Sequence, residues 1–503
     1  MTVATALLPH LGLALLLLAG VVVSRTGWPA YAVILGVSVL GTALGALLGA
    51  PVGLMAALPG RLVALLEHDL LQALPLYLLM GALLNRIGVV EALFTTISAL
   101  LPRRQFNPAL SGLGVGTLLG PVNGSVGASV LSLGRAVLQP LAKAGVPPAD
   151  RVAVLALAST LGVVVPPSLV LILLGDAMMA AHTVAVAANS KSAVAAVAAS
   201  AGSVRIVNTQ DIFYAAALPA LAVILLCVVA TVARFRRRVV VPAPATAKPA
   251  REQWWSAGAA LIALGVLLGG VISGRFFAVE AAACGAALVL VAGLVSGRLS
   301  RGNLQIVLTE ALVHTGALFA LLVAATTLTL VLRVCGSDVW VADMIAALPG
   351  GSTGVVIAVL LLLALSALVL DAFEIVFVVV PLLMPAALMR VPDAAWVAAL
   401  TLLVLQLSFL MPPLGYALVL ARTRQGAGPA VPPLAMAHAL LPYVLALCVV
   451  LGSVLLRPDW VHLWQPVSHT VAGATLTEEE VLRSMQQAPT PDAEATEPVM
   501  EKP

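Results

Sequence analysis

Two stretches of this chain carry residues able to bind an ion or a small solute inside an apolar protein. The first is Asn123-Gly124-Ser125 with Ser129, followed further on by Pro166-Pro167-Ser168. The second is Asp371 with Glu374, followed by Met411-Pro412-Pro413-Leu414-Gly415. Glycine lets two backbones approach closely, and proline removes a helical N–H and frees a carbonyl one turn back. Freed carbonyls with serine and asparagine oxygens form an oxygen cage suited to a hard cation such as sodium. Half-helix N-termini beside it favour an anionic small-molecule substrate. The candidate sodium ligands are therefore Asn123, Gly124, Ser125, Ser168, Asp371, Pro412 and Gly415. The candidate substrate contacts are Ser125, Ser129, Pro166, Pro167, Glu374 and Pro413. The competing reading is that the small residues only allow tight helix packing.

The acids carry a similar choice. Asp371 and Glu374 lie one helical turn apart in an apolar segment, where ionisable side chains are expensive. Asp371 reads as part of an ion site and Glu374 as a secondary candidate; alternatively they cap a helix end or reach a water-filled cavity. Asp176 closes the first broken helix or caps it at the interface. Glu280, Glu310 and His314 read as snorkelling near span ends, and Arg333 as an anchor.

Spacing ties the two stretches together. Pro140 to Pro147 is 7 residues and so is Pro385 to Pro392; Pro147 to Pro166 is 19 and Pro392 to Pro412 is 20. Ser125 to Pro167 and Asp371 to Pro413 are both 42. The chain therefore reads as internally duplicated, each copy holding a re-entrant hairpin and then a helix broken at Pro-Pro. Irregular backbone survives in a membrane only where protein buries it or it lines a cavity, and such paired interruptions point to a transporter's binding site.

The elements that must position these residues are membrane helices. Hydrophobic residues make up 61% of 503 positions and charged residues 10%, with mean hydropathy +1.10. A soluble domain carries roughly a quarter charged residues, so lipid is the solvent here. No alternation of polar and apolar residues marks a transmembrane barrel. The net charge of +4 comes from basic residues in loops beside apolar spans, which is the positive-inside pattern and not a nucleic-acid surface. Cys227, Cys284, Cys335 and Cys448 are too scattered for a metal site or a disulfide framework. The N-terminus reads as a retained span and not a signal peptide. No phosphate-binding Gly-x4-Gly-Lys-Ser/Thr loop, Ser/His/Asp set or His-Glu-x-x-His motif is present, so no catalytic or cofactor-binding residue is assigned.

The expected fold is an all-α polytopic membrane protein with inverted repeats, two re-entrant hairpins and two broken helices. Residues 1–108 are N-terminal spans, mainly scaffold. The first repeat core covers 109–233, with hairpin 109–143, broken helix 152–176 and a low-complexity insertion at 180–210. A basic linker, 234–253, lies in the cytoplasm. Scaffold spans occupy 254–335, the second core 336–425, with broken helix 395–421, a last span 426–456, and a disordered polar tail 457–503. Basic loops orient the two hairpins from opposite faces, with the insertion and tail on the periplasmic side.

At Pro75-Leu76-Tyr77-Leu78-Leu79-Met80-Gly81, Asn123-Gly124-Ser125, Val165-Pro166-Pro167-Ser168, Asp371 and Pro412-Pro413-Leu414-Gly415 the chain resembles the large membrane subunit of TRAP transporters, the tripartite ATP-independent periplasmic systems. The resemblance covers roughly residues 45 to 456. It implies sodium-coupled uptake of an organic acid or related solute across the bacterial inner membrane by an elevator-like motion. It also implies a separate small membrane subunit and a periplasmic substrate-binding protein that delivers substrate. Met411 stands where the family usually places Thr, which removes a hydroxyl from one ion site. The alternatives are a stand-alone ion-coupled anion symporter of similar architecture, a channel-like pore, or a membrane enzyme. Two inverted hairpin-and-break units argue against the pore, and the missing catalytic groups argue against the enzyme.

Overall fold

Lipid offers backbone polar groups no water to bond, so apolar stretches must satisfy themselves as helices. Every regular element among the described residues is helical. The computed structural model describes residues 3–67, 69–102, 104, 106–123, 125–192, 208–236, 251–368, 370–411, 415–425 and 431–465. These belong to one unit; the second, Ser200–Arg205 with Pro466–Pro503, lies outside the described residues. The polar tail therefore lies almost wholly outside them too, as does most of the basic linker.

Helices α1 (Val3–Thr26) and α2 (Ala30–Leu47) lead through a 3-10 turn (Val52–Ala57) to α3 (Leu58–Leu66) and α4 (Asp69–Arg86). The first core follows as α5 (Val89–Leu100), α6 (Asn107–Leu119), α7 (Val126–Lys143), α8 (Pro148–Val164), α9 (Leu169–Ser192) and α10 (Thr209–Arg236). Next come α11 (Arg251–Ile272), α12 (Ala278–Val295) and α13 (Arg301–Val334). The second core holds α14 (Ser337–Ala346), α15 (Gly351–Ser366), the short α16 (Ala372–Glu374), a π turn (Ile375–Val379), α17 (Val380–Arg390), α18 (Ala394–Leu410), α19 (Tyr416–Arg424) and α20 (Pro433–Leu456). Among the described residues, 8 helices are long and apolar enough to cross a membrane, or up to 9 if the bent pair Val52–Leu66 and Leu71–Arg86 counts as one span.

The two cores run through the same sequence of local devices. Gly88 (φ 79°) and Gly336 (φ 72°) take the left-handed turn that launches α5 and α14, a conformation that costs glycine little. Pro140 and Pro385 sit inside the outgoing hairpin arms α7 and α17, and Pro219 and Pro442 inside α10 and α20. At the start of each broken helix an acid pairs with a basic side chain from the far end of its own half. Arg234 Nε donates to Asp150 Oδ1 at 2.7 Å, and His462 Nε2 lies 2.8 Å from Asp393 Oδ2. The two broken helices also meet directly. Gln406 Nε2 donates to Thr160 Oγ1 at 3.0 Å, and each lies 7 residues before the second proline of its own Pro-Pro pair.

The boundaries differ from the sequence reading in instructive places. The insertion at 180–210 starts as helix, because α9 runs unbroken to Ser192; its Ala-rich composition resembles a low-complexity loop, yet alanine is the best helix former. The rest of that insertion, 193–207, lies outside the described residues. Asp176 is therefore inside α9 and does not close it. Glu310 and His314 are likewise well inside α13, which begins at Arg301, and both are exposed. Of the cysteines, Cys227 and Cys335 are buried, while Cys284 and Cys448 are exposed.

Candidate functional site

Close backbone contact builds the first half of the site. A side chain on Gly116 would begin 2.2 Å from the Ala158 carbonyl oxygen, and one on Gly162 2.2 Å from the Gly120 carbonyl carbon. Real Cβ atoms do not approach that closely, so α6 rides directly on α8 through small residues spaced one turn apart. This holds the hairpin tip against the break between α8 and α9. The Pro166–Pro167 peptide within that break is cis, and both prolines are buried.

Between tip and break lies a cavity of about 10 Å³, lined by Ser125, Ser129, Ser159 and Ser168 with Gly120 and Gly162. That is room for one water-sized sphere. Ser129, Ser159 and Ser168 are 1%, 1% and 2% exposed. Ser159 donates its hydroxyl hydrogen to the Leu155 carbonyl at 2.8 Å, and Ser168 donates to the Val163 carbonyl at 2.9 Å. A serine hydroxyl has one hydrogen and two lone pairs, so both present only acceptors to the cavity. Ser168 also accepts from the Leu171 N–H at 3.0 Å, which caps α9 and leaves it one free lone pair. The cavity therefore offers neutral oxygens at a size that fits a small hard cation.

Three of the predicted residues, Ser125, Ser129 and Ser168, are thus brought together, and Ser159 joins them. Asn123 is not among them. It is buried, donates to Ser132 Oγ at 3.0 Å, and lines a separate cavity of about 280 Å³ with Asn85, Glu310 and His314. Gly81 of α4 permits that packing, since a side chain there would begin 3.0 Å from the Val122 carbonyl oxygen. Gly124 lies outside the described residues.

The tip of the second hairpin is built on the same plan with a different charge. Ser125 is the N-cap of α7 and accepts from the Ala128 N–H at 3.1 Å. Asp371 is the N-cap of α16 and accepts from the Ala372 N–H at 2.8 Å, while Glu374 Oε2 accepts from the Asp371 N–H at 3.1 Å. The acid pair is a reciprocal cap, so the capping alternative raised by the sequence describes its backbone contacts. Each carboxylate keeps lone pairs beyond the ones these bonds use. The π turn that follows Glu374 departs from regular helical geometry, as often happens beside functional residues.

Pro412 and Pro413 lie outside the described residues, which resume at Gly415. Gly415 is the N-cap of α19, without a side-chain cap, and folds tightly over the end of α18; a side chain there would begin 2.5 Å from the Phe409 carbonyl oxygen. The next residue, Tyr416, went unnoticed in the sequence. Its ring packs on Phe409 with centroids 6.4 Å apart, and Asp371 and Glu374 lie within electrostatic reach of its hydroxyl. That hydroxyl also faces Gly127 at the start of α7. Tyr416 therefore joins the two hairpin tips. Its position directly after Pro-Pro-Leu-Gly was the available signal.

The family described as "Tripartite ATP-independent periplasmic transporter, DctM component" matches residues 12–460. The chain is 26% identical over 368 residues to the sialic acid TRAP transporter permease protein SiaT of Haemophilus influenzae, covering 72% of this chain and 55% of that one. It is 27% identical over 225 residues to the C4-dicarboxylate TRAP transporter large permease protein DctM of Pseudomonas aeruginosa, covering 44% and 45%. The chain thus spans about half the length of the curated relatives it matches. Among solved structures, it resembles the YdaH transporter of Alcanivorax borkumensis (TM-score 0.56, 16% identity, 81% of this chain and 88% of that one). It also resembles MtrF of Neisseria gonorrhoeae, described as illuminating a class of antimetabolite efflux pumps (TM-score 0.56, 13% identity, 80% and 83%). At these identities the likeness is one of fold.

Proposed function

We infer that this chain, which belongs to the DctM family of tripartite ATP-independent periplasmic transporters, is the large permease subunit of a sodium-coupled importer of small organic acids. Its place is the bacterial inner membrane. Its partners are a small membrane subunit and a periplasmic protein that delivers the substrate. The observation that carries the reading is the serine cavity at the first hairpin tip, matched by the Asp371–Glu374 cap at the equivalent position of the second. The serine oxygens accept a sodium ion, and the second-tip acids balance cation charge beside it. The coupling ion is cargo here and not a resident cofactor. The transporter works without enzymatic chemistry of its own; a sodium gradient supplies the free energy.

The duplicated cores support an elevator-type mechanism. The first hairpin and the first broken helix pack closely through Gly116, Gly120 and Gly162, and the two broken helices meet at Thr160 and Gln406, which suits a block that moves as a unit against α1–α4 and α11–α13. An inverted repeat carries a topology with it, in which the basic linker 234–253 is cytoplasmic and the insertion 180–210 and the polar tail are periplasmic.

Uptake into proteoliposomes containing the chain and its small subunit tests this. Accumulation should need both an inward sodium gradient and the binding protein. Uptake unchanged when potassium replaces sodium would refute the coupling. Sodium-driven uptake without any binding protein would favour the stand-alone symporter.

A further inference from the structure

A cavity of about 290 Å³ lies away from both tips, between α5 and the base half of α7. Its α7 wall is a polar stripe at helical spacing, with Arg135, Gln139 and Lys143 four residues apart and all exposed. Glu91, also exposed, lines the same cavity from α5. The floor is apolar, since Phe94 and Ala136 are buried and Pro140 is half-buried. Among the described residues, no hydrogen bond or ion pair engages the side chains of Glu91, Arg135, Gln139 or Lys143. One backbone acceptor is open as well, because Pro140 has no N–H for the Ala136 carbonyl one turn back. Only 10% of the chain is charged, and ionisable groups on a membrane segment are costly. Three unpaired ones around a single cavity therefore call for a ligand of complementary charge.

Depth narrows what that ligand is. Arg135 lies 10 residues from Ser125 at the tip, and Lys143 lies 18. At about 1.5 Å per residue these are ~15 Å and ~27 Å along α7. Half the hydrocarbon thickness is about 15 Å, so a re-entrant hairpin reaching the midplane sets Arg135 at the hydrocarbon edge and Lys143 among the headgroups. Leu131, one turn nearer the tip on the same stripe, is exposed and gives an acyl chain an apolar wall.

We propose that this cavity binds the headgroup of a phosphatidylethanolamine lipid. Arg135 and Lys143 sit one turn either side of Gln139, so their long side chains converge on one phosphate at its level. All three donate to the phosphate, while the Glu91 carboxylate and the Ala136 carbonyl accept from the ammonium. Basic residues alone would take any phosphate; the acid and the open carbonyl select a headgroup with positively charged N–H donors. Phosphatidylcholine has the charge without the donors, and phosphatidylglycerol lacks the charge. The bound lipid bridges α5 to the outgoing arm of the hairpin. The proposal uses the re-entrant hairpin of the transporter reading and is independent of the cargo and of the coupling ion.

Native mass spectrometry of the purified full chain in detergent tests this, with dioleoyl phosphatidylethanolamine, phosphatidylcholine or phosphatidylglycerol added at equal concentration. The natural chain should retain one phosphatidylethanolamine with about tenfold preference over either other lipid. Arg135→Gln with Lys143→Gln should lower that affinity about tenfold, and Glu91→Gln should abolish the preference over phosphatidylglycerol. All three side chains are exposed and unpaired, so the variants should unfold at the natural temperature without lipid. Soluble glycerophosphoethanolamine at the same concentration should not displace the lipid. Displacement by it would assign the site to a free phosphate ester and overturn the lipid. Equal retention of all three lipids, or of phosphatidylethanolamine by the natural chain and the double variant, would mean ordinary surrounding lipid and overturn the proposal. A preference of the natural chain for phosphatidylglycerol would do the same.

Discussion

The two hairpin tips occupy equivalent places and are stabilised in the same way, yet they differ in charge. At the first, a serine caps the outgoing arm, and the tip packs backbone to backbone on its broken helix around a small serine-lined cavity. At the second, a reciprocal Asp371–Glu374 cap does the same structural work with two carboxylates. Both tips therefore meet the same backbone requirement, an acceptor for the free N–H groups of a helix start. They meet it with different charge. One tip can offer only neutral oxygens to a cation, while the other can offer countercharge.

The strongest way to break the comparison is to force the first tip off its helix. A side chain on Gly162 would begin 2.2 Å from the Gly120 backbone, so Gly162→Ala must move main chain. Overpacking of this kind costs about 1–3 kcal/mol, occasionally more, and displaces every ligand of the cavity. We expect uptake to fall to background, whereas Gly127→Ala in the same hairpin, where the new methyl would make only ordinary contacts at 3.4–3.9 Å, keeps the fold. Sodium-dependent uptake and thermal unfolding of the two variants side by side check this. Normal uptake by Gly162→Ala would mean that the tight approach does not matter.

The acid–base pairs at the broken-helix starts offer the next contrast. Asp150 is 3% exposed and Arg234 21%, while Asp393 and His462 are 31% and 39% exposed. Removing one partner of a buried pair leaves an uncompensated charge, so Asp150→Asn should cost about 2–3 kcal/mol, less than a fully buried pair because Arg234 keeps some water. Asp393→Asn should cost about 0–1 kcal/mol, since Asn preserves the cap on Trp396 and the pair is solvated. Denaturation in mild detergent measures both; equal costs would erase the difference between the halves.

At the tips themselves the two substitutions should separate stability from ion binding. Ser125→Ala removes a cap worth about 1 kcal/mol while leaving Ser129, Ser159 and Ser168 in the cavity. Asp371→Asn keeps the cap and removes the charge, so stability should hold while the sodium concentration for half-maximal uptake rises about tenfold, or about 1.4 kcal/mol. An unchanged sodium half-saturation in Asp371→Asn at normal expression would reduce Asp371 to a cap. The smallest effect concerns the contact between the two broken helices. Thr160→Val and Gln406→Leu should be non-additive by about 0.5–1.5 kcal/mol, the worth of one hydrogen bond.

Much of this arrangement was legible in the residues. The matched proline spacings located both hairpins and both breaks, because proline's missing N–H acts locally and leaves a mark in the sequence. The pairing of Ser125 with Asp371 followed from a common distance to the second proline, and both prove to be N-caps. What remained hidden depends on packing between distant segments. Nothing local to Ser159 shows that it faces Ser129 and Ser168, and nothing local to Tyr416 shows that it reaches Gly127. Asn123 was misplaced for the same reason, since its side chain turns toward Ser132 and α4. The length of α9 was misread because alanine-rich sequence looks unstructured when judged by complexity and helical when judged by propensity.

The proposed sodium site is the cavity between the first tip and the first break. The most direct test is thermal unfolding of the purified chain in sodium chloride against potassium chloride at equal ionic strength, for the natural protein and for Ser159→Ala. Ligand binding to the folded state alone raises stability in proportion to the logarithm of occupancy. The natural chain should unfold at a higher temperature in sodium than in potassium, and Ser159→Ala should lose most of that difference while matching the natural chain in potassium. An identical sodium preference in both proteins, or none in either, would contradict it.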